Sequence, residues 1–305
     1  MNNIFVKLKN SIPITNKNNS LNLISTNTKV NFKGNLPCDI IEIQSKSHST
    51  KKPFINSFAP VFKGFQPLVL LSQEMNYKGQ FYTILCMEQI KNFIPENLWG
   101  QISVRVKSVD AIKSKLFRKN GSNIDDIVGY RVSLNTKEID NMVDNLAVKI
   151  QKGSVKLKQI QNYSHNKESS YLNEKQINKL RNACKKAGYE LNVIEKEKDS
   201  GYIGSHFTIN INNNFNYELQ LRGDLINHIA QTEHAFYDFK KGKQLPPECN
   251  YLKSCLSSMN ETGLTQYGNY IKEIYKYARN KELGINSPIP KLPENLNPIL
   301  EIKLV

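Results

Sequence analysis

The sequence has little of what builds metal clusters, disulfide frameworks or membrane spans. Its five cysteines, Cys38, Cys86, Cys184, Cys249 and Cys255, are scattered and odd in number. They fit no metal-ligand spacing, so free thiols in a reducing compartment are expected rather than disulfides. The histidines form no HExxH pattern and no His-Asp dipeptide. No apolar run approaches the ~20 residues of a membrane span, and the N-terminus lacks the apolar region of a secretory signal. The expectation is a protein of the cytoplasm with no membrane partner. Arginine is scarce, 6 residues against 36 lysines. Hydrophobic residues reach 39%, below the roughly 45–50% of typical domains, so the Asn- and Lys-rich stretches are expected as loops.

What is there in excess is positive charge, +15 overall with a pI near 9.4. Such a balance favours anionic partners: nucleotides, RNA or an acidic surface. The placement of the few arginines is informative, because arginine offers phosphate a planar fork where lysine offers a point charge. Arg105, Arg118, Arg131 and Arg222 all stand on or beside the motifs described next.

Residues 217–223, YELQLRG, alternate, with Glu218, Gln220 and Arg222 on one face and Leu219 and Leu221 on the other. This is the period of a half-buried strand. Residues 205–211 (SHFTINI) alternate too, and the asparagine run at 212–214 reads as the turn of a hairpin. Upstream, Ser108 is placed to cap a helix with Val109, Ile112, Leu116 and Phe117 as its apolar stripe, ended by Asn120-Gly121. Residues 124–134 read as a central strand. Helices are expected over 138–150, 173–187 (closed by Gly188) and 225–239, with a further strand over 190–194. The order implies an α/β or α+β fold, a mixed sheet with helices packed on it. Residues 1–95 read as an N-terminal extension with short strand candidates (VNFKGN, CDIIEIQ), 96–242 as the main domain, and 243–305 as a helical tail. In the tail, Tyr267, Tyr270, Ile271, Ile274 and Ala278 fall at helical spacing and are expected to pack on the domain.

Three constellations bear chemistry. Arg105 and Lys107, two apart before a helix that carries Lys113 and Lys115, suit a polyphosphate or form a plain solvated basic face. Asp125-Asp126 interrupts an apolar run; a carboxylate buried there needs a cation. Asp126 either joins Glu218 in holding Mg²⁺ over phosphates or forms a structural ion pair with Arg131. Tyr202, between Gly201 and Gly204 in GYIGSH, is a platform for a base or an exposed turn residue.

In this order, RVKSVDAIKSKL, DIVGYR, GYIGSH, YELQLRG and AQTEHAFYDFKKG resemble the synthetase domain of RelA/SpoT-type (p)ppGpp synthetases over about residues 99–242. The resemblance implies a nucleotidyltransferase-like mixed sheet. It also implies transfer of the β,γ-pyrophosphate of ATP to the 3′-hydroxyl of GDP or GTP with Mg²⁺. By resemblance, Arg105, Lys107, Lys115 and Lys198 grip ATP, and Asp126 and Glu218 hold metal. Glu218 also acts on the attacking hydroxyl, Tyr202 stacks on the acceptor base, and His206, Gln220 and Arg222 complete the acceptor side. The chain departs from the family at Ile203-Gly204, where Arg-Ser or Gln-Ser is usual, and at Gly223, where Thr is usual. No His-Asp hydrolase signature precedes the domain, so a small synthetase-only member or a toxic relative is implied. The alternatives are the same transfer onto an adenine nucleotide or a tRNA 3′ end, by a toxin or an effector delivered to another cell, and an inactive nucleotide- or RNA-binding module. Because family members oligomerise, a homo-oligomer stays open.

Overall fold

The computed structural model describes residues 66–119, 124–165, 169–245 and 249–304. The chain divides into two units, Met1–Cys38 and Asp39–Val305, and all described residues belong to the second. The strand candidates VNFKGN and CDIIEIQ, Cys38 and the Asn120-Gly121 helix end lie outside the described residues.

Six strands form one mixed sheet in the order β1-β2-β6-β5-β3-β4. They are β1 (Ser103–Val106), β2 (Val128–Ser133), β3 (Lys156–Tyr163), β4 (Asn192–Lys196), β5 (Gly204–Ile211) and β6 (Phe215–Arg222). β2 and β6 run parallel, as do β3 and β4; the other neighbours are antiparallel. The β5–β6 hairpin turns through Asn212 and Asn213 at φ of 52° and 58°, the left-handed conformation that asparagine tolerates. Helices α1 (Gln66–Lys91), α2 (Val109–Arg118), α3 (Thr136–Gln151), α4 (Glu174–Lys186), α5 (Asp224–Lys240), α6 (Asn250–Ser257) and α7 (Glu261–Glu282) surround the sheet.

The period-2 patterns divide the sheet into two chemically distinct faces. Tyr130, Leu219, Phe207 and Ile160 form one row across four strands, all buried. Burying each such side chain contributes about 1.5–3 kcal/mol. Helix α1 lies on this face: the Tyr130 hydroxyl donates to the Thr83 carbonyl and the Tyr217 hydroxyl to Gln89, while Tyr82 stacks on Phe215 at 4.6 Å. On the opposite face, one row reads Arg105, Gly129, Glu218, Thr208 and the next Ser103, Arg131, Gln220, His206, Gln161.

Local signals set the helix ends. The Ser108 side chain accepts from the Ala111 amide, and Asn135 with Glu138 and Asn173 with Gln176 make capping boxes that start α3 and α4. Gly188 closes α4 at φ +83°. The expected tail helix is α7, with Tyr267, Tyr270, Ile271, Ile274 and Ala278 buried.

Four elements differ from the sequence reading. Asp125 and Asp126 precede β2 rather than lying within a strand. Phe117, read as part of the α2 stripe, is 69% exposed; only Ile112 and Leu116 of that helix are buried. Strand β3 was not expected: a bulge between Leu157 and Gln159 shifts the register, so its apolar residues do not alternate cleanly. The 26-residue α1 lies in the stretch read only as an N-terminal extension, because Leu70, Tyr77, Phe81 and Ile84 on its exposed side blur the amphipathic pattern.

Candidate active site

Two carboxylates organise the polar face. Asp126, in the loop that enters β2, receives Lys107 at 3.0 Å and Lys115 at 2.6 Å, both on its Oδ2. Burial works against this carboxylate, but the two ammonium groups outweigh it and hold its pKa below the usual range. The alternative of an ion pair with Arg131 is therefore corrected: Lys107 and Lys115 pair with Asp126, and Arg131 reaches across to Gln220 Oε1 at 3.4 Å. The other Asp126 oxygen, Oδ1, is buried and has no partner. Asp125 accepts from Asn216 and has a structural role at the hairpin.

Glu218 lies at the centre of β6, opposite Gly129 of β2. A Cβ on Gly129 would stand 4.0 Å from Glu218 Oε2. A side chain at this position would therefore lie in ordinary contact with the carboxylate. His206 Nδ1 lies 3.1 Å from Oε1, and Gln220 Nε2 donates to Oε2 at 2.6 Å. Burial alone would raise the pKa of Glu218; His206, Gln220 and Lys107 hold it well below the carboxylate range, so it is an anion.

The GYIGSH loop turns at Gly201 (φ +77°) and delivers Tyr202 behind His206, with its hydroxyl 2.8 Å from Nε2. The expectation of a ring left free to cover a base is corrected. Tyr202 is 4% exposed, with Tyr163 and Tyr275 edge-on to it at 5.7 and 6.0 Å. Lys198 Nζ lies 4.4 Å from its centroid and 4.3 Å from that of Tyr163. Arg222, expected to touch the acceptor, is fully buried 5.8 Å from the Tyr202 ring, and none of its guanidinium nitrogens has a hydrogen-bond partner.

The fold thus brings the ten candidate residues onto one face: Arg105, Lys107, Lys115 and Asp126 at the β1–β2 edge, Glu218, Gln220 and His206 in the centre, and Lys198, Tyr202 and Arg222 beyond them. Among the described residues no group of three or more His, Cys, Asp or Glu side chains could hold a metal. A cation on Asp126 and Glu218 would have to take its remaining ligands from phosphates. Asp126 Oδ1, buried and unpartnered, fits such a ligand.

Residues 104–244 match the family model described as "Region found in RelA / SpoT proteins". This stretch is therefore similar to the region found in RelA and SpoT proteins. Among solved structures, small alarmone synthetase 2 from Bacillus subtilis is 20% identical, covering 70% of this chain and 95% of its own, at a TM-score of 0.36. Small alarmone synthetase 1 from the same organism is 13% identical, covering 72% and 90%, at 0.35. A GTP pyrophosphokinase family protein from Streptococcus pneumoniae is 18% identical, covering 73% and 96%, at 0.31. No curated protein matches the chain.

Sequence reasoning missed several residues that surround the candidate site. Glu233, in the TEH stretch of α5, is 8% exposed and hydrogen-bonded by Ser200; burial raises its pKa. The quoted TEHAFYDF run was the signal for it, since a charged residue seldom sits on the buried side of a helix without a task. Helix α7 lies beyond the matched residues yet packs directly on the site. A Cβ on Gly201 would meet the Lys272 Cα at 2.9 Å, Lys272 pairs with Glu197 at 2.9 Å, and Tyr275 flanks Tyr202. No spacing rule could have placed a helix some 70 residues downstream against this loop. No described helix is long and apolar enough to cross a membrane.

Proposed function

We propose that the chain is an ATP-dependent pyrophosphokinase that transfers the β,γ-pyrophosphate of ATP to the 3′-hydroxyl of GDP or GTP. The observation that carries this reading is the anionic Glu218, opposite Gly129 on a face whose neighbouring carboxylate, Asp126, is clamped by two lysines. Pyrophosphoryl transfer asks a protein chiefly for positioning and charge neutralisation, and this face supplies both. The acceptor oxygen attacks the β-phosphorus, the bond to the α-phosphate oxygen breaks, and AMP leaves. Arg105, Lys107, Lys115 and Lys198 take the donor phosphates. Glu218, with its depressed pKa, acts by orienting the acceptor hydroxyl more than by storing its proton. Asp126 and Glu218 would hold Mg²⁺, which neutralises charge on the phosphate oxygens when bound. The retention of both carboxylates speaks against an inactive binding module.

The test is incubation with γ-labelled ATP and, separately, GDP, GTP, ADP, ATP and bulk tRNA, followed by product separation. Label transfer to GDP or GTP supports the reading. Label only in an adenine nucleotide or in tRNA, for which the charge of +15 makes a ready partner, redirects it to that acceptor. No transfer to any of the five overturns it.

Two substitutions separate donor binding from metal binding. Lys107→Ala should raise the KM for ATP about tenfold, the equivalent of ~1.4 kcal/mol, and leave the acceptor KM near wild type. Asp126→Asn should cost turnover that raised Mg²⁺ or Mn²⁺ partly restores. Equal losses for donor and acceptor in the first, or no metal response in the second, would leave Lys107 and Asp126 as a structural pair.

A further inference from the structure

Helix α1 is apolar on two opposite sides. Its inner side packs on the sheet, with Cys86 and Ile90 fully buried. The approach is close: a Cβ on Gly79 would stand 2.7 Å from Ile127 Cγ2 and 3.3 Å from Val106 Cγ1. The other side carries Leu70, Tyr77, Phe81, Ile84 and Leu85, between 42% and 73% exposed. At about 3.6 residues per turn these five fall within an arc of about 100° and along roughly 22 Å of helix. Single exposed apolar residues are ordinary on a protein surface, but five in one stripe mark a face built to be covered. Two carboxylates, Glu74 and Glu88, stand in the same arc.

The chain itself supplies a segment for that face. Residues 54–65, FINSFAPVFKGF, end where α1 begins at Gln66. They hold Phe54, Ile55, Phe58, Val61, Phe62 and Phe65, and Lys63 is their one charged residue. Four of the chain's 13 phenylalanines fall in this short stretch, which needs cover from water as much as the α1 face does. We propose that residues 54–65 fold back and seat their apolar side chains on the Leu70–Leu85 face of α1. A segment of this length reaches at most roughly 40 Å, enough to run along the whole face. Covalent attachment at Gln66 gives it an effective concentration on the order of millimolar, which favours it over a second copy or another protein. Charge agrees as well: Lys51 and Lys52 precede the segment and Lys63 lies within it, opposite in sign to Glu74 and Glu88 on the face. On its inner side α1 holds the Lys107 carbonyl through Asn76 Nδ2 at 2.7 Å. The seated segment therefore braces the backbone of a lysine that pairs with Asp126, and its docking does not depend on which reaction the site performs.

The experiment is photo-crosslinking on the full-length chain. Phe81→p-benzoylphenylalanine places the probe in the middle of the face, where an exposed side chain leaves the fold intact. Irradiation of dilute protein, a denaturing gel and peptide mass spectrometry should give a cross-link into residues 54–65 at the mass of one chain. Phe117→p-benzoylphenylalanine, exposed on α2, is the control and should give none to that segment. A cross-link at the mass of two chains assigns the face to a second copy and overturns the proposal. So does a cross-link only to other parts of the chain, no cross-link at all, or equal capture of residues 54–65 from both positions. Limited trypsin digestion is the second readout, because cleavage of a docked segment follows the population that has opened. Tyr77→Ser combined with Phe81→Ser should speed cleavage after Lys63 about tenfold or more, a factor of ten being ~1.4 kcal/mol. Cleavage after Lys119, on α2, should keep its rate. An unchanged rate after Lys63 overturns the proposal.

Discussion

Glu218→Gln is expected to fold and to lose transfer activity by about 10²-fold, the scale of misplacing a reacting group. The substitution keeps the shape of the side chain and deletes its charge. Its carbonyl can still accept from His206, but its new amide would face the amide of Gln220, now 2.6 Å from Oε2. Gln220 would have to turn over, which withdraws its carbonyl from Arg131. The stability cost is thus about one or two ordinary hydrogen bonds, roughly 1–3 kcal/mol, too little to unfold a domain of this size. Thermal melting and the label-transfer assay together test this. A folded Glu218→Gln protein with turnover within a few fold of wild type would remove Glu218 from the chemistry.

Gly223→Ala is expected to lower the melting temperature by about 4–12 °C, although the change adds one methyl group next to a strand end. The added Cβ would fall 1.7 Å from Glu282 Oε1 and 2.2 Å from its carboxyl carbon. Glu282 comes from the end of α7 and occupies the N-terminus of α5, where burial raises its pKa against the opposing pull of Arg279, paired with it at 3.2 Å, and of the Ile226 amide. A carboxylate there also complements the helix dipole. Arg279 in turn holds the Ser169 and Ser170 carbonyls at 3.1 and 2.7 Å, so displacing Glu282 loosens several elements at the end of β6. The loss of a charged hydrogen bond and of the dipole contact amounts to roughly 2–3 kcal/mol, and each kcal/mol moves a domain of this size by about 2–4 °C. In Glu282→Ala the clash partner is gone, so adding Gly223→Ala to it should cost little more. Strictly additive losses in this cycle would show that the two positions do not meet.

Much of the site was legible before any coordinates. Alternation at 217–223 places Glu218, Gln220 and Arg222 on one face because the side-chain period of a strand is fixed by backbone geometry. Ser108, Asn173 and Gly188 mark helix ends because the orphan amides and carbonyls there need local partners. Such rules act over a few residues and are written in the chain itself.

Other features depended on which segments meet in space. The sequence leaves Asp126 open between Mg²⁺ shared with Glu218 and an ion pair with Arg131, five residues away. The register of β1 on β2 and the position of α2 decided for Lys107 and Lys115. The Tyr202 ring was read as free because the flanking glycines permit exposure. Tyr163 from β3 and Tyr275 from α7, neither predictable from the loop, bury it. Arg222 was assigned to the polar face correctly but is sealed under the same layer. The sequence by itself determined which residue types line the face and how each strand orients them. The tertiary structure alone decided which of them stay open to a ligand, because burial is set by packing between segments far apart in the chain.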